Sequence, residues 1–562
     1  MPKHTDRVRI EEVDWQAVFP WLRLLGSFKM AIHPGKLLTS LLLIVLLFVA
    51  GSALDLALGG AVHPGEFDQY RQVYFGMQSS EQFSAWQKSR DEASRAQMAA
   101  LLAEIKGFKG DSDAILKSAN PHRQAHATLH EHYVKAYAER ELDREQTKFD
   151  KDWNSELAAI RAERRQTLAR IESLRPRGAF DVSLNHTIDS ANRLIRAVVT
   201  FNFGFSQAAA AGPMAEASEP PPHESPSVAP LSPNAALYYQ DQTTAIAALR
   251  DLLVILPCWL WHHHTPLLLS FLLIALILTA IFGAVVARMA ALHATRDDRA
   301  SLAESLRFVL PRWWSFLLTP LVPLLLIGGV ALLMGAGGLV LFNPPAWGID
   351  IAGGLLFIVA ILCGIIVMGT ILLSAAGIHL VYPATAVNGS DLFDAIARAF
   401  NYVLNRPWRW LFYNAIVLLQ GCIMYLLLAL ALGIVIWAVQ HFTGMWVFTA
   451  TDLGGNRFET ILPASQSAGL SYEVDYAALD WSGKAAAFLV RCWMFLTIAL
   501  LPAFLVSYYF SANTWIYILL RRDADGIEFE DVMIDPPIDP DAPVAKAPEE
   551  VEAPKEVSDD AE

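Results

Sequence analysis

Ionisable side chains are what this chain has least of. Only 18% of its 562 residues are charged, against 54% hydrophobic, and the apolar residues fall in several long runs. That pattern excludes one large soluble core and points to a polytopic membrane protein. Cysteine is scarce as well. Cys258, Cys363, Cys422 and Cys492 have neither CxxC nor His–Cys spacing, which removes thiol-redox motifs and zinc ribbons. Cys363 and Cys422 lie inside apolar runs, where cysteine acts as a small hydrophobe. Cys258 and Cys492 fall near one surface, but spacing alone does not make a disulfide. There is no phosphate loop, no nucleophile elbow, no glycosidase carboxylate pair in context and no nucleic-acid signature. No cleavable signal peptide is evident. The first apolar run follows Glu11, Glu12 and Asp14, so it reads as an uncleaved anchor.

The net charge of −13 belongs to one end. Residues 523–562 hold 15 acidic side chains against Lys546 and Lys555, and the rest of the chain is balanced. This Pro-, Ala- and acid-rich segment reads as a disordered tail.

In chain order, residues 1–36 form a polar start and then an interfacial helix around Trp21, Leu24, Leu25 and Phe28, with Arg23 and Lys29. Span 1 is 37–58. Residues 60–265 are a hydrophilic insertion. Helical patterns run over 78–106, over 122–175 (ended by Pro176) and over 184–203, with a Gly- and Asp-containing break after residue 106. They predict an antiparallel helical hairpin with coiled-coil spacing plus a third helix. The 122–175 helix would be about 80 Å long, so it must break or project. Residues 212–234 are a Pro/Ser/Ala linker. Five further spans are expected at about 266–288, 315–341, 351–382, 411–440 and 485–520. The fourth and sixth are long enough to tilt or protrude, and Pro320, Pro323 and Pro502 mark kink sites. WVFTATDLGGNRFETIL, in the 442–484 connection, reads as a small hairpin turning at Gly454-Gly455-Asn456. Connections on one side hold 16 Lys and Arg, against 2 in the short connections on the other. This bias places both termini in the cytoplasm and the insertion outside it.

One junction is written twice. GAVVARMAALHATRDDRASLAESLRFVLPRWW, from Gly283 to Trp314, registers at an offset of 94 with the segment from Gly377 to Trp408. Each copy holds a glycine for close helix approach, an aspartate (Asp297 or Asp391) where an N-cap is wanted, an amphipathic helix, and an Arg/Trp anchor. A third copy starts at Ser511 and stops at Asp525. An internal repeat of three hairpins, with spans paired 1–2, 3–4 and 5–6, is the reading of this register. The fold class expected is therefore all-α: six membrane spans in three hairpins joined by amphipathic helices, with a helical insertion. Mitochondrial carriers, also six-span triplets, are excluded, because their Pro-x-acid-x-x-base signature is absent.

The strings GAVVARMAALHATRDDRASLAESLRFVL, NGSDLFDAIARAFNYVLNRPWRWLFY and SYYFSANTWIYILLRRDADGIEFEDV resemble those of uncharacterised bacterial multi-pass membrane proteins. The helix before span 5 is more distantly similar to those of YciC-like proteins and of the membrane domain of some glycerophosphodiester phosphodiesterases. The resemblance covers the six-span part, implies a bacterial inner-membrane location, and supplies no activity or catalytic barrel.

Few side chains qualify as a site. Asp55 and Arg491 lie within spans near the same surface. They either pair and line a polar cavity or reach the headgroups separately, and the second is the expectation. His122, His126 and His130, with His132 nearby, have metal-ligand spacing but no HExxH and no cysteine, so a solvated helix face is expected. His262-His263-His264 reads as an interfacial polar cluster. Gly328, Gly329, Gly335, Gly337 and Gly338, with Ala331, read as helix packing. No catalytic, cofactor or metal residue is assigned. A non-enzymatic envelope-organising protein is expected, contacting lipid and docking proteins through the insertion and the tail, with no nucleic acid. The alternative is a transporter or lipid-handling protein.

Overall fold

The structure is a computed structural model and describes residues 18–58, 61–76, 78–105, 112–118, 121–146, 153–202, 244–342, 349–447, 456–462, 474 and 476–533. The 212–234 linker and the Gly454-Gly455 turn lie outside them. So do the start of the chain, the break after residue 106 and residues 534–562.

The N-terminal segment is a 3-10 turn, Pro20–Gly26, and a short helix α1 (Ser27–Ala31). It packs on the membrane helices with one face, while Phe19, Leu25 and Ile32 stay exposed. Leu24 and Met30 are buried against the ends of three spans, and the indole of Trp515 donates to the Met30 sulfur at 2.9 Å. Helix α2 (Pro34–Leu58) follows, with the proline at the first helical turn where its missing N–H costs nothing.

The insertion begins with strand β1 (Ala61–Val62) and helices α3 (Glu66–Tyr74), α4 (Ser80–Glu104) and α5 (Ser112–Lys117). Ser79 and Gln82 make a reciprocal capping box at the start of α4. Then come α6 (Pro121–Gln146) and α7 (Trp153–Ser173), strand β2 (Arg177–Gly178) and α8 (Ala179–Val199). The 122–175 helix does not project. It is two helices folded back on each other, as the pairs Arg140–Glu156 (2.6 Å), Tyr133–Thr167 (3.3 Å) and His126–Glu172 (3.5 Å) show by their opposite chain directions. Met98, Leu102, Ile115, Leu129, Tyr133, Leu168 and Ile171 fill the core between α4, α5, α6 and α7. The two strands pair antiparallel, Val62 with Arg177, and form the one sheet among the described residues.

Helix α9 (Ala245–His263) and α10 (Thr265–Arg296) are separated by His264 alone. The chain continues through α11 (Leu302–Val309), α12 (Trp313–Leu318), α13 (Leu321–Phe342), α14 (Ile349–Asn388), α15 (Leu392–Asn405), α16 (Pro407–Met445), α17 (Arg457–Ile461) and α18 (Trp481–Asp525). Seven helical stretches are long and apolar enough to cross a membrane. Six contain the expected spans; α9 is the seventh. The chain is thus a nearly all-α, multi-pass membrane protein. Pro320 falls in the break between α12 and α13, whereas Pro502 lies inside the unbroken α18.

Helices α14 and α18 have 40 and 45 residues, about 60 and 68 Å, roughly twice a bilayer's hydrocarbon core. Their surplus lies at one end. There Leu380–Val387 of α14 and Trp515–Leu520 of α18 join Val286–Leu292 of α10 in the largest core of the molecule. We call this end the joint side. Away from it, α13, the other half of α14 and much of α16 stand apart. Leu355, Leu356, Phe357, Ile358 and Val359 are all exposed, and among the described residues of this half of α14 only Gly353 and Cys363 are buried. The expected packing role of the span 3 glycines is overturned: a Cβ added at Gly328, Gly329, Gly335, Gly337 or Gly338 would meet nothing. Lipid solvates an apolar helix on every face, so a glycine-rich face in a span does not require a protein neighbour.

Candidate functional site

Among the described residues Asp55 pairs with no arginine. Its two carboxylate oxygens accept the backbone N–H groups of Phe180 (2.8 Å) and Asp181 (3.0 Å), and no ion pair joins it to the exposed Arg491 among the described residues. These are orphan donors of the first turn of α8, so a residue of span 1 caps a helix of the insertion. The carboxylate also complements the positive end of the α8 dipole. Two glycines permit this approach. A Cβ on Gly178 would collide with the Asp55 side chain, and one on Gly51 would collide with the Phe180 ring. Phe180 also packs near Phe48 and Phe271, from α2 and α10. The insertion is therefore keyed to spans 1 and 2 by one carboxylate and one ring.

A second attachment lies beside it. Asp251, in the middle of α9, is fully buried, bonded to Arg71 of α3 and 3.1 Å from Arg193 of α8, with Arg250 at 3.6 Å. The Arg250 guanidinium lies over Phe75 at 4.7 Å. Val62, Phe67, Tyr70, Phe75, Phe83 and Trp259 form the apolar core around this cluster. His186 packs tilted against the Phe67 ring, centroids 3.9 Å apart, and burial pushes its imidazole down to about 4. The His262–His264 cluster belongs to the same core. His262 lies 3.1 Å from the Tyr70 hydroxyl, His263 contacts the Phe83 ring, and His264 lies 3.7 Å from Glu66.

The other histidines do not form a solvated face. His126 and His130 pair with Glu172 and Arg164 across the α6–α7 interface, and His122 is half-buried. The His126 imidazole 3.5 Å away, with help from Arg175, holds the Glu172 carboxyl down at about 2. No group of three His, Cys, Asp or Glu side chains could hold a metal among the described residues, and no disulfide joins the four cysteines.

On the joint side the ends of α10, α14 and α18 pack together, and the aspartates of the two full junction strings differ in role. Asp391 stands at the N-cap of α15 without a side-chain cap bond. Asp297 instead closes α10 in the left-handed conformation, and Ser301 caps α11 through the Glu304 N–H. The glycines of the two copies both make room for a ring, Phe510 at Gly283 and Phe400 at Gly377. Beyond α18 the acidic segment does not begin as a disordered tail at 523. Residues 523–525 are helical, and Gly526, in the left-handed region, turns the chain back to Met533. Phe529 lies between the guanidiniums of Arg23 (4.1 Å) and Arg522 (4.4 Å), and Val532 is buried. The Met533 N–H donates to Val387 at 3.0 Å, and its carbonyl accepts from Arg288 at 2.7 Å. Asp523 accepts from the Tyr413 hydroxyl at 2.9 Å and pairs with Arg409 at 2.6 Å. The segment thus straps the ends of α10, α14 and α18 together. Near it, buried Lys36 lies 3.0 Å from His293, which lies 3.4 Å from Asp297.

Sequence reading missed Gly51, Phe180, Asp251, Arg288 and Phe529. Asp251 had a signal: with Arg250 it is the only charge in the apolar stretch 245–263. The chain matches no protein-family model, no curated protein and no solved structure.

Proposed function

We propose that this is a six-span membrane protein whose work is mechanical: it holds a helical platform in fixed register on one face and binds its spans together on the other. The observation that carries this reading is the capping of α8 by Asp55, which ties platform to span without a flexible linker at that point. The seventh apolar helix, α9, is on this view part of the platform. Its central Asp251 is paired with arginines of α3 and α8, and an ionised group placed mid-bilayer would be costly. One residue, His264, is also too short a connection for two antiparallel spans. Six spans put both termini on the joint side, and the Lys/Arg bias makes that side cytoplasmic. The membrane is then the bacterial inner membrane suggested by the family resemblance. Such a platform suits partner docking, with the acidic chain beyond Met533 as a second docking element.

A transport path draws little support. Lys36, Arg288, Gln420, Asn513 and Arg521, the buried charged and amide side chains of the described spans, all lie toward the joint side. Spin labels at Asp189 and Ser270 test the reading in the full chain in lipid nanodiscs. A narrow distance distribution is expected, and a broad one contradicts a fixed platform.

A further inference from the structure

At the base of the insertion, between β1, α3 and α8, lies an open cleft of about 640 Å³. It begins at Val62, just beyond the end of span 1 at Leu58. Five arginines line it against three carboxylates. Arg193 and Arg196 stand one turn apart on α8, Arg71 comes from α3 and Arg177 from β2. Guanidinium groups fixed at several angles around a cavity suit a tetrahedral oxyanion, because each offers a planar fork of donors.

Two of the arginines are fixed before any ligand arrives. Arg71 and Arg193 both bond the fully buried Asp251, and Arg193 also donates to Ser190 at 3.0 Å. One carboxylate cannot use all ten of their N–H donors. The acidic groups are unequal to the task of filling the site. Glu66 is 3% exposed and already accepts from the His63 N–H and from Gln87. Asp68 points largely to solvent, 3.9 Å from Arg71. Arg196 has no ion-pair partner among the described residues. Asn185 and Asn192 add neutral donors to the same wall.

We propose that this cleft binds a phosphate ester. Its place next to the end of span 1 makes two sources available: the headgroup of a phospholipid, or a small soluble phosphoester. Burial in a cleft that already desolvates Arg71 strengthens each guanidinium–phosphate contact, and added salt weakens it.

The test uses the full-length protein in detergent, with the double variant Arg177→Gln/Arg196→Gln, which leaves the Asp251 cluster intact. Arg95→Gln, exposed on α4 outside the cleft, is the control. Thermal unfolding is titrated with inorganic phosphate and with glycerol 3-phosphate, against sodium chloride at equal ionic strength. Native mass spectrometry counts phospholipid retained after purification. A saturable rise in midpoint with either phosphate, weakened about tenfold or more in the double variant and unchanged in Arg95→Gln, supports a soluble ligand. Retained phospholipid in wild type and Arg95→Gln, lost from the double variant, supports the headgroup source. Equal responses of wild type and double variant in both assays overturn the proposal, as does a midpoint rise that chloride reproduces. Matching circular dichroism of the three proteins shows that the variants are folded.

Discussion

Replacing Asp55 with alanine isolates the joint between membrane and insertion. The substitution removes both acceptors of the Phe180 and Asp181 N–H groups, at 2.8 and 3.0 Å, without touching the α8 sequence. Losing an N-cap costs about 0.5–2 kcal/mol, and a charge at a helix N-terminus contributes about 0.3–1 kcal/mol more. Asp55 is half-buried, so water replaces the lost acceptors incompletely, and we expect a loss of about 2 kcal/mol. The loss should be local. Amides in the first turns of α8 should exchange about 30-fold faster in hydrogen–deuterium exchange, while those at the joint-side ends of α14 and α18 keep their rates. Asp55→Asn, which retains one acceptor oxygen, should fall between. Unchanged exchange in α8, or acceleration spread evenly over the chain, would refute the capping argument.

Gly51→Ala should expel the Phe180 ring and destabilise the insertion by about 1–3 kcal/mol in denaturant titration, and Phe180→Ala should relieve part of that cost in the double variant. Asp251→Ala leaves two arginines without their buried counter-ion. A loss of about 3 kcal/mol or more in thermal unfolding of the insertion is expected, against little change for Asp68→Ala, which lies at the exposed edge. The Glu172 carboxyl is held at about 2 against an ordinary 4.5, so its stabilising effect is present above pH 4.5 and is lost as pH falls toward 2. Glu172→Gln should flatten that part of the pH–stability profile of the insertion and lower its stability above pH 4.5, bringing it toward the value at low pH.

The long apolar helices were legible because an apolar run of some 20 residues has few other uses, and six of the seven candidate span helices contain the runs that hydropathy picks out. Their ends were less legible. Helices α14 and α18 are longer than a bilayer core requires, and neighbouring helix ends bury their Leu380–Val387 and Trp515–Leu520 segments. The junction strings located the joint but misjudged its caps. A constant offset of 94 links Gly283 to Gly377 and Trp314 to Trp408, yet Asp297 ends a helix where Asp391 begins one. That the 122–175 helix must break or project was legible from its length, but the place of the break was not, since no Gly or Pro marks a turn in 147–152. Asp55 was singled out for the right reason, being an ionisable group inside a span. Its partner is a pair of backbone N–H groups 125 and 126 residues away, which no side-chain pattern announces. Buried Asp251 was passed over because the stretch around it is apolar enough to be read as a return to the bilayer.

The platform reading stands or falls on whether α9 crosses the membrane. Single cysteines at Asp189, Trp261 and Glu528, in a background lacking Cys258, Cys363, Cys422 and Cys492, decide this by labelling with a membrane-impermeant maleimide in sealed, oriented vesicles. Trp261 and Glu528 are exposed and flank the opposite ends of the bundle. The account predicts that 189 and 261 label from one side and 528 from the other. Labelling of 189 and 261 from opposite sides would make α9 a seventh span and contradict it.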